Sequence, residues 1–373
     1  MKKDDKKIYF ITGGGTGGHI YPAISVAKEL RNDTTTAKIY YIGKPNNLEE
    51  RIAKDEGFEF LPIEITSMPR KLNLDFIKWT LKLQCATWKA LFYIYKYKPD
   101  AIFGTGGYVS APAIMAGILS QTPYIIHDSD AHPGIVSRYV SKGAKLVSVA
   151  FEEAKNFIEN KNIEIYGNPI KQDFFAITKE DAKKELNLDK NKTLLVMGGS
   201  QGAMNINHAL LGCMEYFTKK LNINVILQTG AKNYEATIDE LKEIYPDFEK
   251  NSKIIIKPYF DNMAIPLKAS DIAVARAGSL SLSEIAAVEI PSILVPYPYA
   301  AADHQRKNAK CYENAGASIY IDDSDFNKEV LEKTIEDLIN NSQKLQEMQN
   351  AVKKFCKPNA TKQITNALKE ITN

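Results

Sequence analysis

The apolar run KIYFIT ends in GGGTGGH, and the residues after it, IYPAISVAKELR, return apolar side chains at helical spacing. A strand, a glycine turn and a helix start, in that order, bring free backbone N–H groups and a positive helix end to one point, which is an anion-binding device. Two familiar loops nearly fit. Gly13, Gly15 and Gly18 have the spacing of a dinucleotide loop, but the second strand, AKIYYIGKP, ends in Gly43 and Lys44 where that loop needs an acid for a ribose. Gly13 and Gly18 also fit the frame of the nucleotide-phosphate loop, with His19 and Ile20 in place of its lysine and hydroxyl. The plainer alternative is a glycine turn that packs its helix tightly on a sheet.

The same arrangement occurs twice. KIYFIT, AKIYYIG, DAIFGT, PYIIH, AKLVSVA and IEIYG read as strands separated by helical stretches; so do TLLVMG, INVILQT, KIIIKPY, DIAVARA, PSILVPY and ASIYI. Strands alternating with helices predict parallel sheets covered on both faces, here two α/β doubly wound domains. A chain of 373 residues is too long for one ordinary core, which agrees with that division. GNPI, from Gly167 to Ile170, is the expected hinge, so the domains are read as 1–168 and 169–351. MGGSQGAMNIN follows the first strand of the second half as ITGGGTGGHI follows that of the first. Ligands of such sheets bind beyond the carboxyl ends of strands, so two domains facing across a cleft suit a nucleotide-bearing donor and an acceptor.

A net charge of +3 is too mild to announce nucleic acid, and Cys85, Cys213, Cys311 and Cys356 have neither disulfide-framework nor zinc spacing. The amino terminus runs straight into the first strand without a secretory signal, and no apolar stretch is long enough to span a membrane, so a cytoplasmic location is expected. The segment from Asp75 to Lys98 comes closest. Lys71, Lys78, Lys82, Lys89 and Lys96 form one basic stripe, with Phe76, Ile77, Trp79, Leu83, Trp88, Leu91, Phe92 and Tyr95 over the rest. That is either an interfacial helix on an anionic membrane surface or a core helix with a solvated edge.

ARAGSLSLSEIAAVEIPSILVPYPYAAADHQRKNA carries the most chemistry. After the strand ending at Arg276, Ala277, Gly278 and Ser279 form a turn, and Ser281 or Ser283 can cap the next helix. Glu284 is either a ribose acceptor or an ordinary capping acid; Gln305 is amide chemistry suited to sugar hydroxyls or a plain surface residue.

Taken together, GGGTGGHIYPAISVAKEL, DAIFGTGGYVSAPAIMAG, YGNPI, GGSQGAMNIN, RAGSLSLSEIAA and DHQRKNA resemble the MurG-type N-acetylglucosaminyltransferases of peptidoglycan synthesis, in order, from about Ile8 to the final helix. The resemblance implies the B-type glycosyltransferase fold and transfer of N-acetylglucosamine from UDP-N-acetylglucosamine to the muramyl 4-hydroxyl of an undecaprenyl-diphosphate-linked acceptor, lipid I to lipid II. It implies peripheral attachment to the cytoplasmic face of the plasma membrane, no cofactor beyond an optional divalent ion on the diphosphate, and a last helix, about 352–373, packing back on the first domain. Alternatives are a diacylglycerol glycosyltransferase, a UDP-N-acetylglucosamine 2-epimerase and a silent UDP-sugar-binding subunit.

Carried onto this chain, the resemblance sets Thr16, Gly17 and Gly18 against the donor's sugar and diphosphate with His19 beside them, and Ser200 on the diphosphate. Phe260 meets the uracil through its backbone; Ser279, Leu280, Ser281, Leu282 and Ser283 give backbone contacts; Glu284 holds the ribose and Gln305 the sugar hydroxyls. Two positions depart from the pattern: Asp130 stands for an asparagine that touches the sugar, and Lys171 for an arginine. His19 is expected as the base of an inverting displacement, or else as a phosphate contact or a structural residue. Asp128, Ser129 and Asp130 mimic a metal-binding D-x-D, but that motif belongs to another fold, and His127, His132, His208 and His304 have no mutual metal spacing, so no protein-held metal is expected.

Overall fold

A computed structural model describes residues 7–33, 37–69, 71, 73–199 and 202–372. The chain divides into two compact units, Met1–Ile170 with Asn359–Asn373, and Lys171–Pro358.

The first unit is built on seven parallel strands, β1 (Ile8–Thr12), β2 (Lys38–Gly43), β3 (Glu59–Pro62), β4 (Ala101–Gly104), β5 (Tyr124–Asp128), β6 (Leu146–Val149) and β7 (Ile163–Ile165), in the order 3-2-1-4-5-6-7. The alternation of strand side chains divides its core in two. Tyr9 and Ile11 face the Gly17–Asp33 helix and the Ala360–Glu370 helix, through Ile20, Ile24, Leu30, Ile364 and Leu368. Phe10, between them, faces the Leu74–Tyr97 and Gly107–Ser120 helices through Leu91, Ile94, Ala113 and Ile114. The second unit repeats the plan with β8 (Thr193–Met197), β9 (Asn224–Gln228), β10 (Ile254–Lys257), β11 (Ile272–Ala275), β12 (Ser292–Leu294) and β13 (Ser318–Tyr320), all parallel, ordered 10-9-8-11-12-13.

In each sheet the first strand of the unit lies inside and the strand order reverses beside it, between β1 and β4 and between β8 and β11. Those are the points where open α/β sheets leave room for ligands beyond their strand ends.

Three expectations need correction. β3 is a strand that the sequence pattern hides: four residues at the sheet edge, with Glu59 exposed and Pro62 ending it. The returning segment starts at Asn359 and not near 352, because Phe355 stacks on Tyr312 of the second unit, ring centroids 4.0 Å apart. The segment from Asp75 to Lys98 is one helix, Leu74–Tyr97, capped by the Asn73 side chain, but the apolar residues spread beside its lysine stripe do not all face outward. Leu91 is core, and the Trp79 indole N–H is donated to the Thr66 carbonyl at 2.8 Å.

Candidate active site

At the reversal point of the first unit, the Gly13–Gly15 turn follows β1 and a second glycine turn, Thr105–Gly107, follows β4; the two meet around His19. His19 lies in the first turn of the Gly17–Asp33 helix, and its Nδ1–H donates to the Thr105 carbonyl at 2.9 Å. The Thr105 hydroxyl donates in return to the His19 carbonyl at 2.6 Å. A neutral ring held this way keeps its lone pair on Nε2. The close approach explains Gly107: a Cβ there would lie 2.4 Å from the Gly14 carbonyl and 2.9 Å from His19 Cδ2, and φ is +73°. Burial lowers the His19 pKa below the ordinary imidazole value, opposed by the Asp130 charge and the Thr105 carbonyl.

β5 brings the neighbouring groups. His127 is fully buried; its Nε2–H donates to Asn168 Oδ1 at 2.9 Å, and the Ser148 hydroxyl donates to Nδ1 at 3.0 Å. With both nitrogens engaged as a neutral ring, burial pushes its pKa down to about 4. Asp128 accepts from the backbone N–H groups of Asp130 and Gly134, both at 3.2 Å, and from Ser137. Burial, with the Asp130 charge, pushes its pKa up to about 6. Asp128 therefore shapes the turn that carries Asp130, and the D-x-D spacing is that of a buttressed turn. Among the described residues no three His, Cys, Asp or Glu side chains gather as a metal set. Thr16 is exposed and caps by its carbonyl, which accepts from His19 N at 3.1 Å; Gly17 and Gly18 are the half-buried first helical residues.

At the reversal point of the second unit, Gly202 allows the turn after β8 to close. Its φ is +75°, and a Cβ would lie 2.1 Å from the Thr229 carbonyl. Ser200 lies outside the described residues. Beyond β11, the Ser279–Ala287 helix has Gly278 as its N-cap, with no side-chain cap and no acid in its first turn. The serines therefore do not cap it: Ser281 and Ser283 are interior, and the Ser283 hydroxyl turns back to the Ser279 carbonyl at 3.0 Å. Glu284, in the second turn, is no capping acid. It is half-buried, and loss of water pushes its pKa up to about 7 against the Lys171 cation, which favours the charged form. Leu282 is core, and Leu280 is half-buried.

Phe260 is buried, and its backbone N–H donates to Gln228 Oε1 at 3.1 Å, leaving the carbonyl as its remaining backbone group. Gln305 Oε1 accepts from Tyr297 N at 2.9 Å, so the side chain has its NH₂ group to offer. Arg276 is a residue the sequence reading used only as a strand end. Its guanidinium bonds the carbonyls of Val295 and Pro296 at 3.0 and 3.1 Å and Asp323 at 2.5 Å, fixing the loop that leads to Gln305. Neither this role nor that of Thr105 leaves a local pattern, because each joins residues distant in sequence.

Residues 9–149 match the glycosyltransferase family 28 N-terminal domain, and residues 193–364 match its C-terminal domain. The chain is 40% identical over 363 residues to a protein of Halothermothrix orenii, covering 96% of this chain and 97% of that one. It is 38% identical over 366 residues to one of Thermoanaerobacter sp., covering 98% and 100%. Both relatives are named UDP-N-acetylglucosamine–N-acetylmuramyl-(pentapeptide) pyrophosphoryl-undecaprenol N-acetylglucosamine transferase. Among solved structures, Acinetobacter baumannii MurG superposes with a TM-score of 0.79 at 28% identity, covering 98% of this chain and 99% of that one.

Proposed function

The chain belongs to the family 28 glycosyltransferases of the MurG group, with the B-type fold, and from that premise we propose that it transfers N-acetylglucosamine from UDP-N-acetylglucosamine to the muramyl 4-hydroxyl of an undecaprenyl-diphosphate-linked acceptor. The observation that carries the residue-level reading is the pair of reversal points: one ends in an imidazole with Nε2 unprotonated, the other in a helix start at Gly278 and a carboxyl. His19 Nε2 takes the hydroxyl proton as the oxygen attacks the anomeric carbon. The bond from that carbon to the diphosphate breaks with inversion, and UDP leaves. The backbone N–H groups at the start of the Ser279–Ala287 helix and the helix dipole stabilise the negative diphosphate.

On the donor, Glu284 accepts the ribose hydroxyls, Lys171 faces it as counter-charge, Gln305 donates to a sugar hydroxyl, and the Phe260 carbonyl accepts from the uracil N–H. Ser200 keeps the diphosphate role that the resemblance gives it. Thr16, Gly17 and Gly18 line the sugar and diphosphate from the first unit. The shared name of the relatives does not favour a diacylglycerol glycosyltransferase, an epimerase or a silent subunit. Radiolabelled UDP-N-acetylglucosamine, offered with a lipid I analogue, with diacylglycerol or with no acceptor, tests the reading. Labelled lipid should form with the first alone; product on diacylglycerol, or none on the lipid I analogue, would overturn it.

The membrane contact is proposed on the Leu74–Tyr97 helix. No helix among the described residues is long and apolar enough to cross a membrane. Leu74, Ile77, Leu81, Trp88, Phe92 and Tyr95 are exposed on one stripe, Trp88 by 68%. Lys78, Lys82, Lys89 and Lys96 each follow one of these residues, which places the exposed lysine stripe about 100° around the helix. Ile118 and Leu119 on the packed Gly107–Ser120 helix, and Ile135 and Tyr139 on the helix packed against that one, are also exposed. Apolar side chains can enter the headgroup boundary while lysines meet anionic lipid, at about 1 kcal/mol each. Exchanging Lys78, Lys82 and Lys89 for glutamate should abolish binding to anionic vesicles and spare turnover of a short-chain, water-soluble acceptor. Undiminished vesicle binding would move the contact elsewhere.

A further inference from the structure

We propose that Asp323 is a positioning residue for the donor: its pair with Arg276 fixes the loop that presents Gln305, and so sets what the sugar adds to the binding of UDP. This rests on the reading of Gln305 as a sugar contact, and it concerns the second unit by itself.

The ties meet in the turn after β13. The Asp323 carboxylate accepts from Arg276 Nη1 at 2.5 Å, and the two side chains are only 22% and 11% exposed. A guanidinium so far removed from water needs a counter-charge, because a sheltered cation left alone is costly. The same nitrogen donates to the carbonyls of Val295 and Pro296, at 3.0 and 3.1 Å. The backbone carbonyl of Asp323 accepts from Asn205 Nδ2 at 2.7 Å, on the Met204–Glu215 helix that follows the β8 turn. One aspartate thus joins the segments that follow β8, β11, β12 and β13. The carboxyl ends of those strands form the ligand side of the sheet.

From Arg276 the tie runs on to Gln305. Pro296, held by its carbonyl, precedes Tyr297, whose backbone N–H donates to Gln305 Oε1 at 2.9 Å. With its oxygen held there, the amide presents its NH₂ group in one direction. The loop between needs such support. Ala302 and Asp303 both lie in the left-handed region, at φ +50° and +55°, which residues with a Cβ disfavour. Arg306 adds pairs to Asp303 at 3.6 Å and Asp322 at 3.0 Å, but these side chains are half exposed and solvent screens them. The sheltered pair is the one that can hold the loop. The groups proposed for UDP are fixed by other contacts. Asn308 Nδ2 holds the Ala277 carbonyl at 3.2 Å before the Ser279–Ala287 helix, and Gln228 holds Phe260 N. Loss of Asp323 therefore acts on the sugar end of the donor.

The test is calorimetry of UDP-N-acetylglucosamine and of UDP on the full-length protein with Asp323→Ala. Affinity for the sugar nucleotide should fall roughly threefold to tenfold, while that for UDP stays within about twofold. Asp323→Asn keeps an acceptor for Arg276 without the charge and should lose less; it carries the comparison if the alanine variant does not fold. In a Gln305→Ala background Asp323→Ala should add nothing, since both act through one contact. Equal weakening of the two ligands, no weakening of either, or a further loss in the Gln305→Ala background would overturn the proposal. If Gln305→Ala alone leaves the ratio of the two affinities unchanged, the sugar contact is wrong and the proposal falls with it. Hydrogen exchange over residues 295–305, faster in Asp323→Ala where the tie holds the loop, then separates that failure from failure of the tie.

Discussion

The two units share a sheet order and differ in what they place at its reversal point. The first closes two glycine turns on an imidazole, and β5, the strand next to β4, carries the buried His127 and Asp128. The second starts its helix on Gly278, which has no side chain to cap it, and adds a half-buried carboxyl, a cation and a glutamine whose oxygen is held by Tyr297 N. In the function proposed above, one fold supplies proton chemistry in one copy and nucleotide recognition in the other, since strand order fixes where a site lies and the turn residues fix what it does.

The largest effect expected from breaking this contrast is on turnover. His19→Ala should lower kcat by roughly 10²–10⁴-fold, measured with saturating donor and acceptor, the range for loss of a general base. Retained turnover would remove the imidazole from the chemistry.

A smaller effect should follow from Gly107→Ala. The added Cβ meets the Gly14 carbonyl at 2.4 Å with φ at +73°, so the turn must shift at a cost of about 1–3 kcal/mol. The melting temperature should drop by several degrees, at roughly 2–4 °C per kcal/mol for a unit of this size. Turnover should fall with it, because His19 packs on the same turn, while donor affinity should hold. A fall in donor affinity alone would contradict the contrast.

The smallest effect concerns pH. Glu284 has its pKa raised to about 7, so its carboxyl is mostly protonated below that pH and ionised above it. An ionised carboxylate accepts hydroxyl hydrogen bonds more strongly, so affinity for UDP-N-acetylglucosamine should rise between pH 6 and pH 8, roughly three- to tenfold. Calorimetry on Glu284→Gln should show a flat profile. A slope of equal size in both proteins would place the titrating group elsewhere.

Much of this was legible beforehand, and the exceptions share a cause. Buried parallel strands announce themselves as apolar runs, and ITGGGTGGH marked the first glycine turn because its glycines and histidine are contiguous. β3 escaped because an edge strand with a glutamate and a proline carries little apolar signal. The serines of residues 279–283 looked like caps by composition, yet Gly278 takes that place with backbone alone. That placement in turn moves Glu284 out of the first turn, which local spacing left open. The Thr105 carbonyl on His19, the Asn168 amide on His127 and the Trp79 bond to Thr66 are tertiary contacts that no local periodicity encodes.

The most direct test of the division between the units is to titrate UDP-N-acetylglucosamine into His19→Ala and Glu284→Ala in parallel by calorimetry. His19→Ala should bind the donor as the unaltered protein does, within about threefold. Glu284→Ala should bind it on the order of tenfold to a hundredfold more weakly, the loss of hydrogen bonds to a charged acceptor at about 1.5–3 kcal/mol. Equal weakening by both substitutions, or none by Glu284→Ala, would contradict the account.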